Sequence, residues 1–129
     1  MCLALPNRRD EAHAIARAFL DEHQPLLVTT AWVLTEVANS IAKSERRTAF
    51  GELYHAVVFD EQTTFVPASD ALFRLGIERY NLRPDKSWSL TDCISFVVME
   101  QHDLSDALTG DHHFEQAGFR ALLRSHPAT

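Results

Sequence analysis

Apolar residues recur at helical spacing in five stretches of this chain, and each stretch begins at a polar residue that can cap or open a helix. The predicted helix starts are Asp10, Thr30, Glu45, Ser69 and Ser89. Pro25 ends the first helix, because a proline cannot continue the hydrogen-bonding pattern. The last helix, from Leu90 to about Gln101, is the most apolar and is therefore expected to be the most buried.

Short apolar runs lie between these helices, and their length suits buried strands. The predicted strands are Leu26–Thr29, Thr63–Val66, Asp106–Thr109 and Phe119–Leu123. Helices that alternate with short buried strands indicate βαβ units, so the pattern predicts an α/β fold with a parallel sheet. Such sheets form their sites outside the carboxyl ends of the strands.

The length and composition fit one cytosolic domain. The chain has 129 residues, of which 46% are hydrophobic and 23% are charged, as in an ordinary globular domain. Cys2 and Cys93 are too few for a disulfide framework, which favours a reducing compartment. No apolar run approaches the roughly 20 residues that span a bilayer, and the apolar N-terminal part is too short for a signal peptide.

The formal net charge of −6 argues against a general nucleic-acid binder, which is usually basic. The negative net charge does not exclude a metal-dependent nuclease. Carboxylates that bind a metal contribute negative charge to the formal sum, whereas the bound ion reverses the local electrostatic field.

Asp92 has two interpretations that are compatible with each other. Ser89 and Asp92 have the S-x-x-D spacing of a capping box, and a carboxylate in the first turn also meets the positive end of the helix dipole. On local evidence alone the cap is the preferred interpretation. The same position directs the carboxylate out of the helix end, where a metal ion can bind.

Glu36 and Asp111 are the other candidate ligands. Glu36 lies beside an apolar helix face, where a lone glutamate is usually a boundary residue; a buried carboxylate would need a partner or a metal. Asp111 follows a predicted strand. Its position in G-D-H-H-F fits equally a turn or helix cap and a site at the carboxyl end of a strand.

The remaining reactive residues indicate no other chemistry. His112 and His113 are adjacent, which excludes the i, i+4 spacing of helical zinc ligands, and we predict that both are exposed. Asp106 opens its strand and is expected at the opposite edge of the sheet, whereas Cys93 is expected in the core. The chain has no G-x-S-x-G motif and, with four glycines, no glycine-rich phosphate loop.

The order of three acidic motifs resembles the PIN-domain ribonucleases, the family that includes the VapC-type toxins of toxin–antitoxin modules. T-E-V-A-N supplies Glu36, S-L-T-D-C supplies Asp92, and T-G-D-H-H-F-E-Q-A-G-F supplies Asp111, with Phe114 and Gly118 in step. The resemblance covers nearly the whole chain, and the two C-terminal motifs together are its specific part.

The resemblance implies a PIN-like three-layer fold, in which helices flank a mostly parallel sheet. It implies that Glu36, Asp92 and Asp111 are both the catalytic residues and the ligands of Mg²⁺ or Mn²⁺, and that the protein cleaves RNA. Hard oxygen ligands suit these ions, and a bound ion activates water and neutralises charge on the phosphate. The resemblance further implies a cytoplasmic toxin that forms a homodimer and binds a cognate antitoxin.

One part of the family pattern is missing from this sequence. The family has a first strand that ends in an aspartate, whereas this chain begins M-C-L-A-L-P-N-R-R-D and has no acid before Asp10. We therefore expect residues 1–129 to form a single N-terminally truncated domain without that strand and that metal ligand. Three functions remain open: an active metal-dependent ribonuclease, a catalytically impaired PIN-like module that binds antitoxin or RNA, and an unrelated α/β interaction domain.

Overall fold

A sheet of five parallel strands organises the protein, which is described here from a computed structural model covering residues 2–3 and 26–123. The strands are β1 (Cys2–Leu3), β2 (Leu27–Thr30), β3 (Thr63–Val66), β4 (Asp106–Leu108) and β5 (Arg120–Ala121). Their order in the sheet is β3-β2-β1-β4-β5, and every pairing among them is parallel. The predicted α/β class is confirmed.

The middle position of the sheet is occupied by β1, where the sequence analysis expected a missing strand. Cys2 pairs with Val28 of β2 and with Ala107 of β4, and Leu3 pairs with Leu108. The expectation of an absent central strand is therefore corrected. Two extended residues are enough to pair with both neighbours, because the pairing uses backbone groups and requires no side-chain pattern.

Between β2 and β5, helices connect the strands in the predicted order. In residues 26–123 they are α1 (Ala31–Ser40), a 3₁₀-helix (Glu45–Ala49), α2 (Phe50–Phe59), α3 (Asp70–Leu82), α4 (Leu90–Gln101) and α5 (His112–Gln116). The side chains of Thr30, Ser69 and Ser89 each accept a backbone N–H at a helix start, so these three predicted caps are confirmed. The helix predicted at residues 10–22 lies outside the described residues.

The segment from Glu45 differs from the single helix that its pattern predicts. It opens as the 3₁₀-helix, whose N-cap is Ser44, and becomes α-helical only at Phe50. All five residues of the 3₁₀-helix are exposed, so no packing favours the regular α-helix there. Within residues 26–123, no helix is long and apolar enough to cross a membrane.

Helix α4 lies at the centre of the hydrophobic core. Every residue from Cys93 to Met99 is buried, as the apolar sequence predicts. The ring of Phe96 packs edge-on against Trp88 and Phe114, with ring centroids 5.1 and 4.8 Å apart. These contacts join α4 to the loop before it and to α5, and they fix the N-terminal end of α4, where Asp92 lies.

Candidate metal centre

Two of the three predicted acidic residues lie against the same side chain beyond the carboxyl ends of the strands: Asp92 Oδ2 and Asp111 Oδ1 are 3.3 and 3.2 Å from His113 Nδ1. Strand β2 leads directly into α1, which carries Glu36, and β4 leads through Gly110 to Asp111. Asp92 lies in the first turn of α4, and its charge contributes to raising the pKa of Glu36. Asp106 opens β4 and pairs with Arg120, so it lies at the other end of the strand, as predicted.

Asp92 forms the capping box that the S-x-x-D spacing predicts. The Ser89 hydroxyl accepts a hydrogen bond from the Asp92 backbone N–H at 3.0 Å, and Asp92 Oδ2 accepts one from the Ser89 N–H at 3.2 Å. The Asp92 side chain is only 16% exposed. The cap therefore fixes the carboxylate at the helix start and leaves it mostly shielded from water.

Asp111 is the N-cap of α5, so the cap interpretation is confirmed here too. Its Oδ1 accepts a hydrogen bond from the backbone N–H of His113 at 2.9 Å. The buried hydroxyl of Thr109 accepts a hydrogen bond from the Asp111 N–H at 3.1 Å. This bond fixes the backbone of Asp111 against the residue two positions before it. The T-x-D motif thus has a structural reason: the threonine orients the segment that carries the acid.

Glu36 is half-buried on α1 and faces the start of α4. The side chain of Thr91, the neighbour of Asp92, is near enough to lower the pKa of Glu36. Burial acts more strongly in the opposite direction and raises that pKa.

The electrostatics of the cluster disfavour negative charge. Burial raises the pKa of Asp92, and the charge of Asp111 raises it further, against the lowering effect of hydrogen bonds from Ser89 and His113. Burial also raises the pKa of Glu36, with a smaller contribution from Asp92. Within residues 26–123, no lysine or arginine forms an ion pair with these acids. Such a cluster lacks a cation that would balance it.

His113 lies against two of the acids, and this corrects the prediction that both histidines are exposed. The His113 side chain is 18% exposed, and its Nδ1 lies 3.2 Å from Asp111 Oδ1 and 3.3 Å from Asp92 Oδ2. Its Nε2 lies 3.3 Å from the hydroxyl of Ser87. His112 is exposed, as predicted, and its ring stacks at an angle on that of His113.

Sequence reasoning missed Ser87, Thr91 and the packed position of His113. The helical zinc spacing that the sequence excludes concerns ligands on one helix, whereas the contacts of His113 join α5 to α4 and to the loop before it. A weak signal was available, since His113 stands two residues after Asp111, within the turn that this acid caps.

The donor atoms fit a hard divalent cation. Asp92 Oδ2 and Asp111 Oδ1 accept the hydrogen bonds, and no hydrogen bond from the described residues reaches Asp92 Oδ1 or Asp111 Oδ2. Those two oxygens and the Glu36 carboxylate are oxygen ligands of the kind that Mg²⁺ and Mn²⁺ prefer. Among the described residues, Asp111, His112 and His113 place one ligand atom each within 4.8 Å of one another, a nitrogen-rich set that suits zinc better.

The fold and site together define an α/β domain with an acidic centre at the carboxyl edge of a parallel sheet. The sequence model of the PIN domain matches residues 2–120, so this chain belongs to the PIN domain family. No curated protein matches the chain in sequence. The family match excludes the unrelated α/β interaction domain.

Two solved structures share the fold. VapC20 of Mycobacterium tuberculosis, described as a toxin that cleaves the sarcin–ricin loop, matches with a TM-score of 0.74 and 21% identity, over 92% of this chain and 95% of that chain. FitAcB from Neisseria gonorrhoeae matches with a TM-score of 0.51 and 14% identity, over 94% of this chain and 95% of that chain. At these identities the likeness shows the fold alone.

Proposed function

We propose that this protein is a metal-dependent endoribonuclease that acts as the toxin of a toxin–antitoxin module. The observation that carries this proposal is the cluster of Glu36, Asp92 and Asp111 at the carboxyl edge of a PIN-domain sheet. These three residues would hold Mg²⁺ or Mn²⁺. A bound ion of this kind supplies an activated water and neutralises charge that develops on the scissile phosphate.

The chain's own residues contribute position and exclusion of water. The capping hydrogen bonds hold one oxygen of Asp92 and one of Asp111, so the other oxygen of each keeps a defined direction. Both carboxylates are mostly shielded, which strengthens their interaction with a cation. The thiol of Cys93, the residue after Asp92, is not a suitable nucleophile, because it is buried and burial raises its pKa.

The partners follow from the same proposal. VapC20 is described as cleaving a structured RNA loop, so structured RNA is the first substrate class to test. A cognate antitoxin, a homodimer and a cytoplasmic location belong to the proposal because they accompany toxins of this type. The buried free thiol of Cys93 is compatible with a reducing compartment.

RNA cleavage with matched acid variants tests the proposal. The protein is incubated with a mixture of structured and unstructured RNAs in Mn²⁺ or Mg²⁺, and a chelator should abolish cleavage. Asp92→Asn and Asp111→Asn should lose cleavage. Asp106→Asn should retain it, because this acid has the same chemistry but pairs with Arg120 at the other end of β4. Cleavage that survives the chelator, or that both site variants retain, would exclude the proposed mechanism.

A non-catalytic PIN-like module is the second candidate. The observation that favours it is that the chain has no acid before Asp10, so no carboxylate follows β1 in the sequence where the family pattern has one. Mn²⁺ binding without cleavage of any RNA, together with tight binding of an antitoxin or an RNA, would select this candidate.

A further inference from the structure

The ring of His113 connects three separate parts of the candidate metal centre. Its Nδ1 is within hydrogen-bonding distance of Asp92 on α4 and of Asp111 before α5, and its Nε2 is within reach of Ser87 in the loop before α4. We infer that His113 is a positioning residue that donates from Nδ1 to Asp92 while the same nitrogen lies against Asp111, and that Ser87 sets the tautomer that makes this possible. The inference rests on the proposed metal site.

The chemistry of the partners gives the direction of these hydrogen bonds. An ionised carboxylate only accepts, so Nδ1 carries the proton of the hydrogen bond to Asp92 Oδ2. In a neutral imidazole Nε2 then has the lone pair, and the Ser87 hydroxyl donates to it across 3.3 Å. The inferred chain of donors therefore runs from Ser87 through His113 to Asp92, with Asp111 Oδ1 3.2 Å from the same Nδ1.

Ser87 is held in place by the residue that follows it. Trp88 is buried, and its indole N–H donates to Gln116 Oε1 at 3.1 Å. This bond ties the loop to the C-terminal end of α5, the same short helix that carries His113. The spacing between the Ser87 hydroxyl and the His113 ring is thus set by buried packing at Trp88.

The arrangement separates two roles within each carboxylate. The oxygens that His113 contacts are the same ones that accept the capping hydrogen bonds, Asp92 Oδ2 and Asp111 Oδ1. The other oxygen of each acid is left to face a cation. With a proton on Nδ1 and Ser87 on Nε2, His113 has no lone pair for a metal, so the inference assigns it to orienting ligands and not to binding the ion.

The tautomer of His113 gives a direct test without metal or RNA. Nitrogen-15 NMR distinguishes a protonated ring nitrogen from an unprotonated one. The spectrum is recorded at about pH 8, above the usual His pKa of about 6.5. The signal that is absent from the spectrum of His113→Asn belongs to His113, which distinguishes it from the other histidines among the seven in the chain. We expect the Nδ1–H tautomer in the wild-type protein and a partial shift towards Nε2–H in Ser87→Ala. A wild-type ring that is Nε2–H, or that carries both protons, overturns the inference.

Metal titration gives the second test. His113→Asn keeps an N–H donor near the Nδ1 position, whereas His113→Phe keeps a ring and loses both nitrogens. We expect His113→Phe to weaken Mn²⁺ binding by about 10–100-fold, as loss of a ligand-orienting partner usually does, and His113→Asn to restore most of the affinity.

A comparison of Zn²⁺ with Mn²⁺ binding distinguishes a positioning role of His113 from direct ligation of the metal. A positioning role predicts that His113→Phe weakens Mn²⁺ and Zn²⁺ binding by similar factors. A nitrogen ligand would instead make the loss much larger for Zn²⁺. A zinc-selective loss, or no loss for either ion, overturns the inference. If wild-type protein binds neither ion while the NMR result stands, it is the proposed metal site that fails and not the hydrogen-bond assignment.

Discussion

Asp92 and Asp111 are helix caps whose carboxylates are also the candidate metal ligands. Sequence reasoning left cap and ligand open for both residues, and the structure shows that the cap uses one oxygen of each side chain. The remaining oxygen of each is then available to a cation. A cap in the first turn of a helix is therefore a way to present an oriented carboxylate at the edge of a sheet.

Asp92→Asn should separate these two roles. Asparagine can still accept the Ser89 N–H through its carbonyl oxygen, while the charge that Asp111 repels is removed. We expect the metal-free variant to be as stable as the wild type or more stable. We also expect its Mn²⁺ affinity to fall at least about 100-fold. Loss of a residue that only hydrogen-bonds to a metal ligand reduces affinity by up to about this factor, so loss of a direct ligand should cost at least as much.

Thermal melts of both proteins, with and without Mn²⁺, check this outcome. Only the wild type should be stabilised strongly by the ion. A loss of more than about 2 kcal/mol in the metal-free variant would show a mainly structural role, since removing a cap typically costs about 1 kcal/mol.

The raised pKa values of Glu36 and Asp92 predict how stability depends on pH. At these two groups the folded protein holds protons more tightly than the unfolded chain, so its free energy of unfolding should fall as pH rises from the ordinary carboxylate range until both groups are ionised. Asp85 has the opposite sign, because the Arg83 hydrogen bond lowers its pKa to about 2. That contribution is complete above about pH 5 and cannot mask the decline at higher pH.

Denaturant unfolding in the presence of a chelator, between about pH 4 and pH 7.5, measures this decline in the free energy of unfolding. The range begins where ordinary carboxylates titrate and extends above it. The slope should be shallower in Asp92→Asn, and Mn²⁺ should restore wild-type stability at the upper end. An identical slope in the variant would mean that other groups control the pH dependence.

Local motifs were enough to predict the three acids, but not the residues that hold them. Ser89 and Asp92 are three residues apart, so their contact can be inferred from helix geometry. The contacts of His113 with Ser87 and Asp92 join positions 26 and 21 residues apart. No periodicity encodes such a separation; it depends on how α4 and α5 pack.

At the scale of elements, α3 packs closely against α4. Gly76 lies in the interior of α3, and the side chain of Ile94 occupies the space that a Cβ at position 76 would need. Glycine is thus required here for close approach of two helices, although it weakens an isolated helix. Because α4 also carries Asp92, this contact affects the position of the site.

Gly76→Ala should destabilise the protein by about 1–3 kcal/mol, the usual cost of overpacking, despite a gain of up to about 1 kcal/mol in helix propensity. Gly51→Ala in α2 is the matched control, because nothing lies within 4 Å of a Cβ built there. It should be neutral or stabilising. Urea unfolding of the two variants measures the difference.

A double-mutant cycle identifies the cause. If the overlap with Ile94 is responsible, Gly76→Ala should cost clearly less in an Ile94→Ala background. Equal costs in both backgrounds would contradict the steric explanation.

Element starts were predicted more accurately than element ends. The caps at Thr30, Ser69 and Ser89 have a chemical signature, and the structure confirms all three. By contrast, the strand predicted over Phe119–Leu123 covers only Arg120–Ala121. Strand β1 was missed because two residues contain no alternation from which a strand can be read.

At the scale of the whole molecule, α3 leaves large apolar side chains at the surface. Leu82 is 68% exposed, and with Leu75 and Val97 it lines a groove of about 400 Å³ between α3 and α4. The Arg79–Glu100 salt bridge lies in the same groove. Phe59 on α2 is also exposed, but its ring stacks on His55.

The expected homodimer is therefore predicted to use α3. Light scattering at high protein concentration should give a dimer, and Leu82→Glu should shift it towards monomer by placing a charge in an apolar contact. Phe59→Glu is the control and should leave the dimer intact. A wild type that stays monomeric at all concentrations, or dissociation by Phe59→Glu alone, would contradict this prediction.

The central position of β1 has a consequence for how the sheet opens. One side of the sheet, β2 and β3, continues into the helix that carries Glu36, and the other side, β4 and β5, contains the segment that carries Asp111. In the described part of β1, Cys2 is paired towards β2 and both Cys2 and Leu3 are paired towards β4, so this strand joins the two halves. In amide hydrogen exchange, this seam should be the first part of the sheet to lose protection. An ion bound by Glu36 and Asp111 would then act as a clamp across the seam, so that Mn²⁺ should slow exchange in β2 and β4 far more than in α3.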